Sequence, residues 1–318
     1  MGCTLVIDTS YGSTVGIVGH APIVETDSRT HVERLQVNIA RSLDEAGYQP
    51  SDIDTIVVGV GPAPFTGLRA GIVAAKAIAF ATGARLVGQN VLDPQHEMMH
   101  NVMSGSNIFD SVDFLAHVPR LVSPQTQDNV NGAVANSQEY ELNRHVTLCV
   151  NDARRKQLYF SLNHCDTVDA GYAVSVAVQD GAQSSEMNNS QRCDVEHESR
   201  WIDMDIDYPE HIVERVNAVV AEHSARDGVH YVVDVAGHGV AKYAAAWKQL
   251  DTLGCVVDGS ILDAGAPGVA MFASIATSRA LRNTSAATVE PLYLRRPDAE
   301  VPAPLKHVLG HAGAGRRD

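Results

Sequence analysis

The N-terminal part of the chain alternates short apolar runs with segments in which apolar residues recur at helical spacing. The apolar runs come first, are separated by turn residues, and predict strands joined as hairpins over 3–7, 13–19 and 23–26. The next segment has apolar residues three and four positions apart, which predicts an amphipathic helix on Val32, Leu35, Ile39 and Leu43. Gly47 is expected to end this helix.

The stretch from Gly61 to Gly83 is the most distinctive one. An apolar run over 55–60 predicts a buried strand, and Gly61-Pro-Ala-Pro64 predicts a turn, because two prolines fit neither a helix interior nor a central strand. We predict a helix with Thr66 as N-cap and with Gly83 after its last residue. Small residues cover one face of it: Ala70, Gly71, Ala74, Ala75, Ala77 and Ala81. Such a face fits either an interior helix or the close docking of another helix.

A further strand at 86–88 completes an N-terminal order of β-β-β-α-β-α-β, which predicts an α/β sheet with hairpin-connected leading strands. The second half repeats the α/β pattern. Its strands are predicted at 146–151, 158–163, 173–178, 231–235 and 255–257. Its helices are predicted from Pro209, up to Trp247 and from Ala266 to Leu281. Polar stretches over 96–145 and 179–199 predict loops, and 301–318 predicts a disordered tail.

Composition and charge narrow the function. The chain has 318 residues, 45% hydrophobic and 19% charged, which is enough to bury a core. Its formal net charge of −14 argues against autonomous nucleic-acid binding, so such a role would come through a partner. Five cysteines without a CxxC spacing indicate reduced thiols. No apolar run approaches 18 residues and the start lacks a basic region, so we expect a cytoplasmic protein without a membrane span.

Two turns have the composition of phosphate-binding loops. The first follows the first strand and comprises Asp8, Thr9, Ser10 and Gly12. The second contains Gly237 and Gly239, after the strand predicted at 231–235. Both sequences are also ordinary turn chemistry, and a short glycine motif is a weak signal. If both bound phosphate, the chain would be a small-molecule kinase or ATPase.

The stretch 96–100 matches the His-Glu-x-x-His pattern of zinc peptidases. On a helix, His96 and His100 would share one face and could hold zinc, with Glu97 as general base. No third ligand follows at a recognised spacing, so these two histidines remain weak metal candidates. A zinc peptidase is therefore a second alternative function.

Several motifs together resemble one family. They are Asp8-Thr9-Ser10, His31-x-Glu33-x-Leu35, Gly61-Pro62-x-x-Phe65-Thr66-Gly67-Leu68-Arg69-x-Gly71, Asp152-Ala-Arg-Arg-Lys156 and Pro291-Leu-Tyr-Leu-Arg-Arg-Pro-Asp298. In order and spacing the chain is similar to the TsaB (YeaZ-like, glycoprotease-related) family of tRNA threonylcarbamoyladenosine biosynthesis. The chain departs from the family at Ala63-Pro64, where Gly-Ser is common, and Pro64 removes a backbone N–H from that turn.

The resemblance implies an α/β, actin-like (ASKHA, RNase H-like) fold with two lobes and mixed sheets. The expected units are a first lobe over 1–95, a polar insertion over 96–145, a second lobe over 146–300 and the tail. The helix at 267–282 is expected to pack back on the first lobe. The two phosphate-loop-like turns would then be vestigial.

The resemblance also implies a non-catalytic scaffold subunit that binds a catalytic TsaD-like subunit and, through it, a TsaE-like ATPase. ATP and metal would belong to those partners, this chain alone would bind no cofactor, and tRNA would be bound only through the complex. A homodimer through the same surface is expected when the partner is absent. The expected contact residues lie on the two N-terminal helices: His31, Val32, Glu33, Leu35, Ile39, Phe65, Leu68, Arg69, Gly71, Ala74 and Ala75.

Overall fold

The computed structural model describes residues 2–26, 31–121, 144–164, 200–282 and 289–295. The first sheet has the order β3-β2-β1-β4-β5. Its strands are β1 (Cys3–Asp8), β2 (Ser13–Ile17), β3 (Ile23–Glu25), β4 (Ile53–Gly59) and β5 (Arg85–Gln89). The first three strands pair antiparallel, whereas β4 and β5 continue the sheet in parallel from β1. The predicted strand–helix order and hairpin-connected leading strands are confirmed.

Helices cover both faces of this sheet. The helices α1 (His31–Ala46) and α2 (Phe65–Thr82) share a core with alternate β1 residues such as Leu5 and Ile7. Val6, which points to the opposite face, packs in the core of α3 (Asp93–Met103) and the later helix α6 (Gly265–Arg282). Because side chains alternate along a strand, each central strand supplies both cores.

The second sheet has the order β10-β9-β6-β7-β8. Its strands are β6 (His145–Asp152), β7 (Leu158–His164), β8 (Arg200–Asp207), β9 (Val232–Gly237) and β10 (Leu253–Val257). As in the first sheet, the central strand comes first, two antiparallel strands extend one side and two parallel strands the other. The helix α4 (Pro209–Asp227) and the short helix α5 (Ala244–Trp247) cover it. The chain therefore repeats one topology in two lobes.

The ends of α2 test two sequence predictions. Gly83 adopts a left-handed conformation with φ of 77° and ends the helix, as predicted. Thr66 is not the N-cap, because the helix begins one residue earlier, at Phe65, with Pro64 in the N-cap position. Pro64 has extended backbone angles that lead into the helix, but its side chain offers no hydrogen bond to the first turn.

The predicted insertion over 96–145 begins as core, not as loop. The structure places α3 and the segment after it in the apolar core that α6 shares with the first sheet. The buried residues there are Met98, Met99, Val102, Met103, Phe109, Leu115 and Val118. The polar remainder of this stretch after residue 121 lies outside the described residues, apart from residues 144 and 145. The predicted strand at 173–178, the loop at 179–199 and the tail at 301–318 also lie outside them.

The C-terminal part of the described chain returns to the first lobe. Helix α6 contacts β1, β2, β4 and β5. The segment 289–295 then runs beside β4, where the Leu292 backbone N–H donates to the Val60 carbonyl oxygen at 2.7 Å. A unit that ends at residue 95 therefore lacks elements that complete its own core.

Candidate functional site

The outer surface of the first pair of helices carries large apolar side chains. On α2, Val73 and Phe80 lie two helical turns apart and are 64% and 94% exposed. On the neighbouring α1, Val37 is 65% exposed. We call these three residues the exposed helix face. Exposed apolar side chains on adjacent elements are typical of interaction sites.

The predicted contact residues are divided between core and surface. The structure buries five of them in the core under α1 and α2: Leu35, Ile39, Leu68, Gly71 and Ala75. These positions belong to the apolar stripe that each helix turns toward the sheet. In the folded chain they form no surface for a partner, which corrects that part of the prediction.

The other predicted contact residues are nearer to solvent. Val32 is partly buried, and Ala74 packs partly against the core. Glu33, Phe65 and Arg69 are exposed. The side chain of His31 lies outside the described part of the chain. The exposed residues lie at the N-terminal ends of the two helices.

Part of the small-residue face of α2 packs inside the first lobe. A Cβ added at Gly71 would lie 2.3 Å from the Thr9 hydroxyl oxygen, in the turn after β1. The glycine therefore lets α2 approach this turn closely. The sequence pattern left an interior helix and a docking face open, and the structure divides the small residues: Gly71 and Ala75 are buried, whereas Ala77 and Ala81 are exposed.

Sequence reasoning missed the exposed helix face. Val73, Ala77 and Phe80 recur at spacings of four and three along α2, which is itself an apolar helical stripe. This stripe shares Ala77 with the small-residue set, so the pattern alone did not separate an outward stripe from the packed one. Val37 of α1 is an apolar residue outside the main apolar stripe of that helix, a position that indicates an exposed apolar side chain.

Three motifs that are distant in sequence meet at the start of α2. The Arg69 guanidinium lies over the Phe65 ring, 3.7 Å from its centroid, and Arg69 Nε donates to the Tyr293 hydroxyl at 2.6 Å. The Phe65 and Tyr293 rings stack with centroids 5.0 Å apart. Arg69 is thus held between two aromatic side chains of different segments.

The C-terminal segment 289–295, which contains Tyr293, also reaches the tip of the β6–β7 hairpin. Arg295 donates to the Gln157 side-chain oxygen at 2.6 Å and lies 3.5 Å from the Arg154 carbonyl oxygen. Three exposed residues form the tip, each with positive φ: Arg154 at 64°, Arg155 at 51° and Lys156 at 64°. We call the whole set the basic ridge: Phe65, Arg69, Arg154, Arg155, Lys156, Tyr293 and Arg295.

The two phosphate-loop-like turns face each other across a narrow cleft. Asp8, Ser10, Tyr11 and His238 line it. The Tyr11 ring stacks on the His238 ring with centroids 4.0 Å apart, and His238 Nε2 lies 2.6 Å from a carboxylate oxygen of Asp263. The structure brings the two turns close together, with an aromatic contact across the space between them.

Asp8 and Ser10 of the first turn bind each other, whereas the buried Thr9 hydroxyl has no hydrogen-bond partner among the described residues. The Asp8 carboxylate accepts from the backbone N–H and the hydroxyl of Ser10, at 3.1 and 2.7 Å. Burial raises the pKa of the Asp8 carboxyl. A Cβ at Gly237 would lie 1.9 Å from the Val150 carbonyl oxygen, so this glycine serves close packing on β6. Gly12 and Gly239 have positive φ, as turn glycines do.

The two candidate zinc ligands lie on α3, as predicted. Their ring centroids are 6.4 Å apart, and His96 Nδ1 lies 2.9 Å from the Thr147 hydroxyl oxygen. Burial lowers the pKa of His96 to about 3 and also lowers the pKa of His100. Within the ranges that the structure describes, no group of three or more His, Cys, Asp or Glu could hold a metal ion. The zinc-peptidase hypothesis gains no third ligand there.

A buried ion pair joins α3 to the second lobe and to α6. One Asp93 carboxylate oxygen lies 2.6 Å from an Arg200 nitrogen and 2.9 Å from an Arg279 nitrogen. Asn90 donates to the same oxygen at 2.7 Å. Burial alone would raise the pKa of Asp93, but the two guanidinium groups and the hydrogen bonds outweigh it and lower the pKa.

Comparisons with known proteins agree with this architecture. A solved structure of a Pseudomonas aeruginosa protein with similarity to peptidase YeaZ matches with a TM-score of 0.52 and 17% identity, over 93% of this chain and 100% of that one. A second, YeaZ from Pseudomonas aeruginosa, matches with a TM-score of 0.50 and 16% identity, over 92% and 100%. The chain has the YeaZ fold. The predicted α/β, actin-like fold and the resemblance to YeaZ-like proteins are thereby confirmed.

Sequence comparisons point in the same direction. The family model TsaD, tRNA N6-adenosine threonylcarbamoyltransferase, matches residues 17–101 of this YeaZ-like chain. An uncharacterized protein of Mycobacterium tuberculosis is 32% identical over 181 residues, 54% of this chain and 64% of that protein. The alignment thus spans less than two thirds of the mycobacterial relative. A tRNA N6-adenosine threonylcarbamoyltransferase of Ruegeria pomeroyi is 39% identical over 70 residues, 22% of this chain and 19% of the enzyme.

The stretch that the TsaD family model matches lies mainly in the first lobe of this YeaZ-like structure. Residues 17–101 run from the end of β2 to α3 and include both α1 and α2. The exposed helix face lies entirely within it. The basic ridge has only Phe65 and Arg69 in this stretch, and its other residues come from the second lobe and the C-terminal segment.

Proposed function

We propose that this chain is a non-catalytic scaffold subunit that binds a TsaD-like catalytic subunit for the threonylcarbamoylation of adenosine in tRNA. The observation that carries the proposal is the exposed helix face, which lies within the stretch matched by the TsaD family model. A TsaE-like ATPase would join through the catalytic subunit, and tRNA would be recruited to the assembled complex.

The physical argument starts from the apolar surface of α2. Phe80 is almost fully exposed, and its burial would contribute about 1.5–3 kcal/mol of hydrophobic free energy. A partner that contains homologous helices presents a related surface, so the two can pair about an approximate twofold axis. The same geometry would let two copies of this chain pair when the partner is absent.

The cleft between the two phosphate-loop-like turns supports a non-catalytic role for this chain. Asp8 binds Ser10 within it and Tyr11 stacks on His238 across it, an arrangement that favours a structural role for the two turns. Under this proposal ATP and the metal are bound by the partner subunits. Nucleotide titration of the isolated chain by calorimetry tests this directly, because micromolar ATP affinity would favour the kinase or ATPase alternative.

The decisive experiment replaces Val73 by arginine and measures co-purification with the TsaD-like subunit of the same host. We expect a folded monomer that no longer binds the partner, because the charge would be buried unpaired in the contact. Val73 is a cleaner position than Ala74, which packs partly against the core. Leu281→Arg is the matched control, since Leu281 is 73% exposed on α6, the helix on the other face of the sheet.

Two results would contradict the proposal. One is undiminished co-purification by folded Val73→Arg protein, and the other is an equal loss in the Leu281→Arg control. Size-exclusion chromatography of the isolated chain provides a further check, because Val73→Arg should also abolish any homodimer formed through this face.

A further inference from the structure

We propose that the basic ridge contacts the phosphates of the RNA directly, so that this chain contributes part of the RNA-binding surface. The inference rests on the proposed function, and it extends that function because it assigns RNA contacts to a chain with a net charge of −14. Its basis is the arrangement of cations and aromatic rings where three motifs meet.

The ridge brings together several cations that form no ion pair within the described part of the chain. Elsewhere, exposed cations such as Arg34, Arg41 and Lys76 form ion pairs with nearby carboxylates. Within the described ranges, four ridge cations have no carboxylate within ion-pair distance: Arg69, Arg154, Lys156 and Arg295. An acidic protein that leaves neighbouring cations without carboxylate partners retains a local positive field, which attracts anions.

The ridge is also fixed in shape. Arg69 and Arg295 bind neutral partners, Tyr293 and Gln157, which hold their positions, and no carboxylate of the described residues forms an ion pair with either. The hairpin tip has three successive residues with positive φ, a tight turn that directs its side chains outward. Because these groups are already ordered, binding costs less conformational entropy than it would for mobile lysines.

The aromatic rings favour RNA over an acidic protein surface. Phe65 and Tyr293 are 47% and 38% exposed, and they lie among the cations. Proteins that bind single-stranded nucleic acid combine cations for the backbone with exposed rings on which bases stack. The ridge begins at the first turn of α2, and Val73 of the exposed helix face lies one turn beyond Arg69. RNA held by a partner docked there would therefore pass close to the ridge.

The test measures binding of the full chain to an unmodified tRNA transcript by fluorescence anisotropy, at several salt concentrations. The variant is Arg154→Asn with Lys156→Asn, because asparagine tolerates positive φ and keeps the turn. We expect weaker binding and a salt dependence with a slope reduced by about two, one for each lost phosphate contact. The matched control is Arg85→Asn with Lys248→Asn, two exposed cations elsewhere, and it should bind as the unmodified chain does.

Failure of this inference is distinguishable from failure of the proposed function. The ridge variant should still co-purify with the TsaD-like subunit, whereas Val73→Arg should lose that partner but keep the RNA affinity of the isolated chain. Absence of salt-dependent binding by the unmodified chain, or an equal loss in the control, would overturn the inference. Displacement of the RNA by polyglutamate at equal charge would also overturn it, in favour of an acidic protein partner.

Discussion

Helices α2 and α6 have the same length and a similar apolar composition, but they lie in different environments. By length and composition alone, α2 and the helical stretch 261–282 that contains α6 would be able to cross a membrane. In their most apolar windows, 28% of α2 residues are buried, against 56% for the stretch with α6. Core helices of soluble proteins pass the same test, so composition does not distinguish a core helix, a docking helix and a membrane helix.

The difference comes from what surrounds each helix. Helix α6 is packed between the first sheet and α3, with Val269 and Phe272 fully buried. Helix α2 has the sheet on one side only, so its second apolar stripe, with Val73 and Phe80, faces outward. The comparison shows that the number of neighbouring layers decides whether the apolar surface of a helix is buried in the core or remains exposed for a partner.

The largest expected effect is on the core side of this comparison. Phe272→Ala in α6 should destabilise the protein by about 3–5 kcal/mol, because it leaves a cavity at a fully buried position. Phe80→Ala in α2 is the matched control and should change stability by less than about 0.5 kcal/mol. Urea denaturation of both variants provides the measurement. A similar loss in both would show that α2 buries Phe80 in the free chain.

A second comparison concerns how the two helices are fastened. Asp93→Ala removes the buried carboxylate that Arg279 of α6 and Arg200 share and should cost about 3–5 kcal/mol. Glu290→Ala removes the exposed ion pair with Lys76 of α2 and should cost about 0–1 kcal/mol. Thermal unfolding of both variants at neutral pH measures the difference. If the two losses were equal, the buried pair would not be what holds α6.

The smallest expected effect is a pH dependence of the protein's stability, caused by a histidine of α3, the helix that packs against α6. His96 lies on α3 and its pKa is lowered to about 3, below the usual value near 6.5, so the unfolded chain binds a proton that the folded chain excludes. Stability should therefore be fully present above pH 6.5 and fall as the pH decreases toward 4. His96→Gln should flatten this slope by up to about 1.4 kcal/mol per pH unit, measured by urea denaturation at several pH values. The lowered pKa of His100 retains part of the slope. An unchanged slope would show that His96 protonates in the folded protein.

The sequence alone determined most of the strands and helices in the described chain and, through its motifs, the fold. It did so because apolar periodicity and turn residues are local signals: the strands of the first lobe, the β6–β7 hairpin and the end of α2 at Gly83 all follow from neighbours within a few positions. It did not predict β8, and most of α3 falls in a stretch predicted as a loop. Thr66 failed as an N-cap because a proline one residue before the helix set its start, a local competition that the pattern did not resolve.

Only the tertiary structure decided which surfaces are available. A helical pattern marks apolar stripes but does not say which stripe meets the sheet, so Leu35, Ile39 and Leu68 went inside while Val73 stayed exposed. The basic ridge depends on contacts between residues more than 200 positions apart, such as Arg69 with Tyr293. Such pairs leave no periodic trace in the sequence, because they are created when α6 and the segment after it pack back on the first lobe.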